Sequence, residues 1–280
     1  MSQPSAKKNR AFLKWAGGKY SLVESINKLL PPGDKLIEPF VGAGSVFLNS
    51  NYDKYLLNDI NQDLINLYQV VKRRPKTFIA DARQLFTPLQ NNADAFYALR
   101  REFNLSTDTY TRSLLFLYLN RHGYNGLCRY NGSGQFNVPF GKYKKPYFPE
   151  AELEFFAEKA KRATFTCQPF QNSFRRARKG QVMYCDPPYL PLTVSANFTS
   201  YASGGFSFTE QGILAQKAEQ AAFKRGIPVL ISNHDTEHAR LFYKRAELTE
   251  LMVHRYISQN GSTRNKVAEL LAYYPANPIT

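Results

Sequence analysis

The tetrapeptide Asp186-Pro187-Pro188-Tyr189 follows the apolar run VMYC. Val182 to Cys185 suit a buried strand, and the two prolines after the acid lock their own φ and carry no backbone N–H. A carboxylate is thereby held at a strand's end by a stiff backbone. One chemistry that needs such stillness is reaction at an aromatic amino group, whose lone pair is delocalised into its ring. An acceptor on each N–H draws the nitrogen toward tetrahedral geometry and localises that pair. The Asp186 carboxylate can supply one acceptor and the Pro187 carbonyl the other, while the Tyr189 ring stacks on the base. An acid followed by prolines also occurs as a plain helix cap or turn, so the tetrapeptide gains weight only from what accompanies it.

Two other clusters accompany it. In IEPFVGAGSVF, Gly42 and Gly44 let the chain turn tightly after a strand and bring a helix N-terminus toward a ligand. Phe47 stands where the dinucleotide fingerprint has its third glycine. Asp59, at the end of the next expected strand, is placed to accept hydrogen bonds from ribose hydroxyls. Together they indicate a nucleoside-containing cofactor, and the missing glycine argues against NAD and leaves S-adenosylmethionine open. In KWAGGKY, Trp15 can stack on a planar or cationic group and Lys19 can pair with a carboxylate. The same segment also reads as a turn anchored by a buried indole.

The elements that must position these residues are of the α/β type, strands alternating with helices. KLIEP and KYLLND read as strands, with FVGAGS as the turn and VFLNS as the start of a helix between them. From about residue 151 a helix, AELEFFAEKAKRA, precedes strands TFTCQ, QVMYC and PVLISN, and MVHRYIS with VAELLAYY suits a closing hairpin. Residues 62–149 differ in pattern: INLYQVVKRR, DAFYALRREFN and TRSLLFLYLN read as helices, followed by a Gly- and Asn-rich segment expected to form a hairpin and loops. The expected division is a catalytic domain in residues 1–61 and 150–280 and an inserted domain in residues 62–149.

Lys and Arg total 37 against 22 Asp and Glu in 280 residues, a formal charge of +15. Such an excess is unsuited to small neutral substrates and points to a polyanion. Nucleic acid fits better than a membrane, because the cations are interleaved with Tyr, Asn and Gly. Residues 109–149 contain no Asp or Glu but do contain Arg112, Arg121, Arg129, Lys142, Lys144 and Lys145. The three cysteines lack CxxC spacing, and no apolar run approaches the ~20 residues that cross a bilayer. A reducing, cytoplasmic setting is expected. His234 and His238 form the only close histidine pair and lack a matching third ligand, so no metal site is expected.

The segments FLKWAGGKY, IEPFVGAGSVF, YLLNDIN, FLYLNRHGYNGLCRYN, FNVPFGKYKKPYFPEAEL, DPPY, ANFT and PVLISNHD resemble, in the same order, those of Dam-type DNA adenine methyltransferases. That family methylates the exocyclic nitrogen of adenine in GATC. The likeness runs from about residue 8 to about 274, with His122 standing where an aromatic is common. It implies a Rossmann-like methyltransferase sheet with an inserted, mostly helical DNA-recognition domain carrying a hairpin. It also implies S-adenosylmethionine as methyl donor, S-adenosylhomocysteine as product, no metal, duplex GATC DNA as partner and a nucleoid-associated monomer.

Carried over residue by residue, the resemblance implies Trp15, Lys19, Gly42, Gly44, Asp59 and Asp186 around the cofactor. Arg129 suits a bidentate contact to guanine. Leu127 and Pro139 suit the thymine methyl, and Lys14 the outer guanine. Tyr124 and Asn125 suit the gap left by a flipped adenine. Arg100, Arg121, Asn131, Asn137, Tyr143 and Lys144 complete the expected DNA-binding set. The rival readings are an RNA adenine or cytosine-amino methyltransferase and an inactive GATC-binding regulator on the same scaffold. A cytosine-carbon enzyme would need a nucleophilic cysteine after a proline, whereas Cys185 lies inside a strand and reads as core.

Overall fold

The computed structural model describes residues 8–189, 206–254 and 266–276. The ANFT segment at 196–199 and the end of MVHRYIS lie outside the described residues. The strands are β1 (Lys35–Glu38), β2 (Lys54–Asp59), β3 (Ala163–Cys167), β4 (Gln181–Cys185), β5 (Val229–His234), β6 (Glu247–His254) and β7 (Lys266–Tyr274). The helices are α1 (Val23–Leu29), α2 (Ser45–Asn49), α3 (Gln62–Arg73), α4 (Pro75–Gln84), α5 (Ala93–Leu105), α6 (Thr109–His122), α7 (Glu150–Ala160), α8 (Phe170–Arg176), α9 (Phe208–Glu219) and α10 (Glu237–Phe242).

The strands form one sheet in the order β3-β2-β1-β4-β5-β7-β6. β2, β1, β4 and β5 run parallel, while β7 is antiparallel to both β5 and β6. Strand order reverses between β1 and β4, which pair with Ile37 abreast of Met183. In open α/β sheets the carboxyl ends of strands at such a switch point are where ligands bind. β1 ends there at Glu38, and the tetrapeptide leaves β4 beside that end.

The chain divides into two compact units. One comprises Met1–Tyr20, Gly42–Ser50 and Asp59–Cys167. Its centre is aromatic: Phe156 meets Phe12 edge-on at 4.9 Å and tilts against Tyr68 at 4.7 Å. Asn61, Asn92 and Asp108 accept hydrogen bonds from Leu64, Ala95 and Thr111 N–H groups, which starts α3, α5 and α6 by satisfying donors that a helix N-terminus leaves open. Asp63 on α3 takes a two-pronged bond from Arg112 on α6 at 2.9 and 3.0 Å and a third, at 2.7 Å, from the Tyr130 hydroxyl.

The other unit comprises Ser21–Val41, Asn51–Asn58 and Gln168–Thr280. Its core gathers Ile37, Leu56, Met183, Cys185, Val229, Ile231, Leu270 and Ala272 with Leu214 and Ala218 from α9 and Tyr243 just after α10. Cys185 is fully buried there, so its reading as core holds.

Several elements went unread in the sequence. α4 opens on Pro75 directly after the basic end of α3, where KRRPKT hides the change of helix. α9 ends in a π turn, Gln220–Lys224, that no apolar period signals. β6 starts at Glu247, well ahead of Met252. The hairpin expected after α6 exists as two isolated antiparallel bridges, Gly123 with Phe140 and Tyr130 with Phe136. Asn131 closes its turn by accepting from the Ser133 and Gln135 N–H groups, a local alternative to ladder pairing.

His122 is fully buried, stacked on Tyr118 at 4.0 Å and set edge-on to Phe86 at 4.8 Å. Its Nδ1 lies 3.0 Å from the Tyr118 carbonyl oxygen and must therefore carry the proton it donates. Nε2 is then an acceptor, and it has no hydrogen-bond partner among the described residues. Burial pushes the imidazole pKa down from 6.5 to about 4. Because the folded value lies below the unfolded one, this stabilisation is complete above about pH 6.5 and is lost as pH falls toward 4. The loss is on the order of 3 kcal/mol. His122→Phe is expected to raise the melting temperature at pH 7, by relieving the orphaned acceptor, and to flatten stability between pH 6.5 and 4. A melting temperature that falls equally steeply with acid in the variant would assign the acid sensitivity elsewhere.

Candidate active site and nucleic-acid interface

Strand alternation separates chemistry from core in the second unit. Met183, Cys185, Val229, Ile231, Leu270 and Ala272 fill the apolar cluster, and the residues between them face the other side of the sheet. On that side the Tyr184 and Ser232 hydroxyls are 2.6 Å apart, and Ser232 Oγ lies 3.5 Å from Asp186 Oδ1. The Tyr189 hydroxyl donates to Glu269 Oε2 at 3.0 Å, and the edge of its ring meets His234 at 4.6 Å. Burial first, then the charges of Asp186 and Glu269, push the Tyr189 hydroxyl well above its ordinary pKa, so it stays a donor. Gln211 on α9 donates to the Pro188 carbonyl at 2.8 Å, and the Tyr243 hydroxyl in turn donates to Gln211 Oε1 at 2.9 Å. The prolines have no N–H, and a carbonyl anchors this backbone instead.

His234 thus serves the Tyr189 ring, while His238 packs edge-on to Phe208 at 5.3 Å. Among the described residues no group of three or more His, Cys, Asp or Glu side chains is arranged to hold a metal ion.

In the first unit a second constellation forms around Gly42. Its N–H donates to Asp59 Oδ2 at 3.0 Å and its carbonyl accepts from the Tyr68 hydroxyl at 2.5 Å. Gly42 has φ +46°, and a Cβ there would come 3.0 Å from Trp15 Nε1 and 3.1 Å from Trp15 Cδ1. Glycine is required twice over, by conformation and by the indole. Gly44, at φ +73°, is the N-cap of α2. The other Asp59 oxygen accepts from the Asn61 N–H at 3.0 Å. Burial raises the Asp59 pKa against these backbone donors, which pull the other way. Lys19 is only 4% exposed and donates to the Gly17 carbonyl at 2.5 Å. Trp15, Gly42 and Asp59 are brought together as the sequence suggested, and Lys19 is drawn into the same turn as Gly17.

Residues 15–257 match the family described as MethyltransfD12, D12 class N6 adenine-specific DNA methyltransferase. The chain belongs to that family. It is similar to the DNA adenine methylases of Serratia marcescens, at 60% identity over 96% of this chain and 99% of the relative, and of Vibrio cholerae, at 59% over 96% and 97%. The DNA adenine methylase of Escherichia coli K12 is 58% identical over 98% of both chains. The chain is therefore a DNA adenine methyltransferase with a DNA substrate. No described helix is long and apolar enough to cross a membrane.

The side chains that the sequence assigned to DNA sort into two groups. Near Tyr143 several of the expected residues converge. The Lys14 ammonium lies over the Tyr143 ring at 3.8 Å, the Tyr143 hydroxyl accepts from the Asn125 N–H at 3.0 Å, and the Tyr124 N–H donates to the Pro139 carbonyl at 2.9 Å. Asn120 binds both sides of the Lys14 peptide, accepting from its N–H at 2.9 Å and donating to its carbonyl at 2.7 Å. Tyr124 is 51% exposed, and Asn125 is held at φ +52°. Burial, then the nearby Arg121 charge, lower the Lys14 pKa. Exposed Arg129 is braced by Asn137, whose Oδ1 accepts from Nε at 2.7 Å.

Arg121 does not belong with the surface cations. It is 8% exposed, donates to the carbonyls of Tyr147 and Phe12 and lies 5.1 Å from the Tyr147 ring. A buried guanidinium committed to carbonyls braces the surrounding backbone and has little charge to offer a phosphate. Asn131 is likewise spent on its own turn, and Arg100 donates to the Val138 carbonyl at 2.9 Å while covering Tyr97. Lys144 remains exposed. Sequence reading passed over Tyr68, Asn120, Ser232 and Glu269. A polar residue abreast of the acid in VLISNH was the available signal for Ser232; Glu269 depends on a strand register that no local pattern carries.

Trp15 is the only tryptophan in the chain, so it reports on the Gly42 turn. Gly42→Ala is expected to cost about 1–2 kcal/mol in left-handed strain and to push the indole aside, shifting the fluorescence emission. Gly134→Ala, at φ +72° with nothing within 4 Å of the new Cβ, should cost stability but leave the emission in place. Unchanged emission in Gly42→Ala would mean the indole does not depend on that contact.

Proposed function

We propose that the chain transfers the methyl group of S-adenosylmethionine to N6 of an adenine flipped out of duplex GATC. It acts as a monomer, with residues 1–61 and 150–280 carrying the chemistry and residues 62–149 reading the DNA. The observation that supports this most directly is the stiff strand-end carboxylate, Asp186, sharing a sheet face with a Tyr189 ring oriented by Glu269.

The residues around Gly42 fit a nucleoside sulfonium. S-adenosylmethionine, when bound, supplies a methyl group activated by a positive sulfur. The Trp15 indole, seated where a Cβ would stand, suits an adenine face or the sulfonium. Lys19 suits a carboxylate, and Asp59 keeps lone pairs for ribose hydroxyls beyond those taken by its backbone donors, Gly42, Asn61 and Ile60.

At the target, Asp186 and the Pro187 carbonyl accept the two N–H bonds of the adenine amine and localise its lone pair, and Tyr189 stacks on the base. Fixed acceptors cost no reorganisation as charge develops. Asp186 is the group placed to take the proton that the methylated nitrogen sheds. Flipping costs a few kcal/mol, offset by Tyr124 and Asn125 filling the gap. Arg129 on the guanine O6 and N7 contributes ~1–3 kcal/mol of discrimination, with Leu127 and Pro139 against the thymine methyl and Lys14 toward the outer guanine. Tyr143 and Lys144 are assigned to the backbone.

Labelled S-adenosylmethionine offered with two duplexes differing only in GATC versus a scrambled site tests the reading. Transfer should be confined to GATC adenine and should fall by at least about a thousandfold in Asp186→Ala, comparable with losing a principal stabilising group. Binding of GATC without transfer would mark a regulator, and equal methylation of both duplexes would overturn the assignment of Arg129 and its neighbours. Separately, Tyr124→Ala should weaken the signal of a fluorescent base at the target more than it weakens DNA binding. Equal losses would remove Tyr124 from the flipping step.

A further inference from the structure

We propose that Tyr184 and Ser232 are positioning residues for Asp186, forming a directed two-hydroxyl chain that holds one carboxylate oxygen so that the other meets the substrate amine. The proposal rests on the reading of Asp186 as the amine's acceptor. Parallel pairing of β4 and β5 sets Cys185 abreast of Ile231, so the next residues, Asp186 and Ser232, stand side by side. β5 is apolar through Val229, Leu230 and Ile231 and breaks to a hydroxyl at that step. Ser232 is fully buried and Tyr184 nearly so.

Proton direction follows from valence. An ionised carboxylate only accepts, so the Ser232 hydroxyl donates to Asp186 Oδ1 across 3.5 Å. Having spent its single proton, Ser232 must accept from Tyr184 across 2.6 Å. Burial, reinforced by the charge of Asp186, pushes the Tyr184 hydroxyl well above its ordinary pKa, which keeps that donor protonated. Ser232 is also hydrogen-bonded to the Tyr189 hydroxyl, but the carboxylate is the stronger acceptor, and Tyr189 directs its own proton to Glu269. Bonds in such a chain polarise one another, so the short first bond strengthens the long second one.

Single-turnover methylation of a GATC duplex by Tyr184→Phe, Ser232→Ala and the double variant, with melting curves and KM for both substrates, tests the chain. Ser232→Ala should lower the rate constant by about 10- to 100-fold, as for loss of a bond to a charged group, and Tyr184→Phe by about 3- to 10-fold. Both KM values and the melting temperature should stay near wild type. The double variant should match Ser232→Ala, because Tyr184 acts only through Ser232. Wild-type rates in both single variants, a double variant losing the product of the two effects, or a rate loss that tracks KM or loss of folded protein would each overturn the proposal. Asp186→Ala in the same assay separates the failures. If it transfers at the wild-type rate, the acceptor reading falls and the chain with it; if it is inactive while Ser232→Ala is not, only the chain falls.

Discussion

The backbone of Gly42 meets three demands at one residue, and the glycine turn of the first unit is arranged around them. Its N–H is held by Asp59, its carbonyl by the Tyr68 hydroxyl, and the space of its missing Cβ by the Trp15 indole. Each partner comes from a different part of the chain: the N-terminal segment, the end of β2 and the middle of α3. The turn therefore cannot be adjusted to suit one neighbour without disturbing the others. Tyr68 is also part of the aromatic centre with Phe12 and Phe156, so the core and the turn share a side chain. An enzyme that must present a tryptophan face and a carboxylate at fixed places gains rigidity from this sharing.

The sheet solves a different problem with a simpler device. The period of two along β4, β5 and β7 sends alternate residues into an apolar cluster and the others to a polar face bearing Tyr184, Ser232, His234 and Glu269. One stretch of sequence thus meets the need for burial and the need for exact acceptor placement. It also accounts for Cys185, which sits next to Asp186 in sequence and yet is buried away from it. Its side chain points into the core, and burial raises its thiol pKa well above the ordinary value.

Features legible in the sequence were those set by local pattern. β1, β2, β4 and β5, and helices α3, α5, α6 and α7, follow from apolar period. The tetrapeptide and the glycine turn stood out because prolines and glycines constrain backbone directly. Harder to read was whatever depends on register or on competition between partners. Arg121 looks like its cationic neighbours until the carbonyls of Phe12 and Tyr147 claim it. Asn131 looks like a base-reading amide until its turn uses it. Glu269 reaches Tyr189 only because β7 pairs with β5 so that Glu269 stands opposite His234. His122 shows no sign in sequence of the orphaned nitrogen it carries in the core.

The peptide of Lys14 is clasped by Asn120, 106 residues later in the chain. During synthesis at roughly 5–20 residues per second, that clasp waits about 5–20 s for its partner to be made. Contacts of such long separation pay their loop-closure entropy before they return anything. The segment around Lys14, made long before its partner, is among the last to find its place, and the lysine that faces Tyr143 acquires its setting only when residues 109–149 have folded.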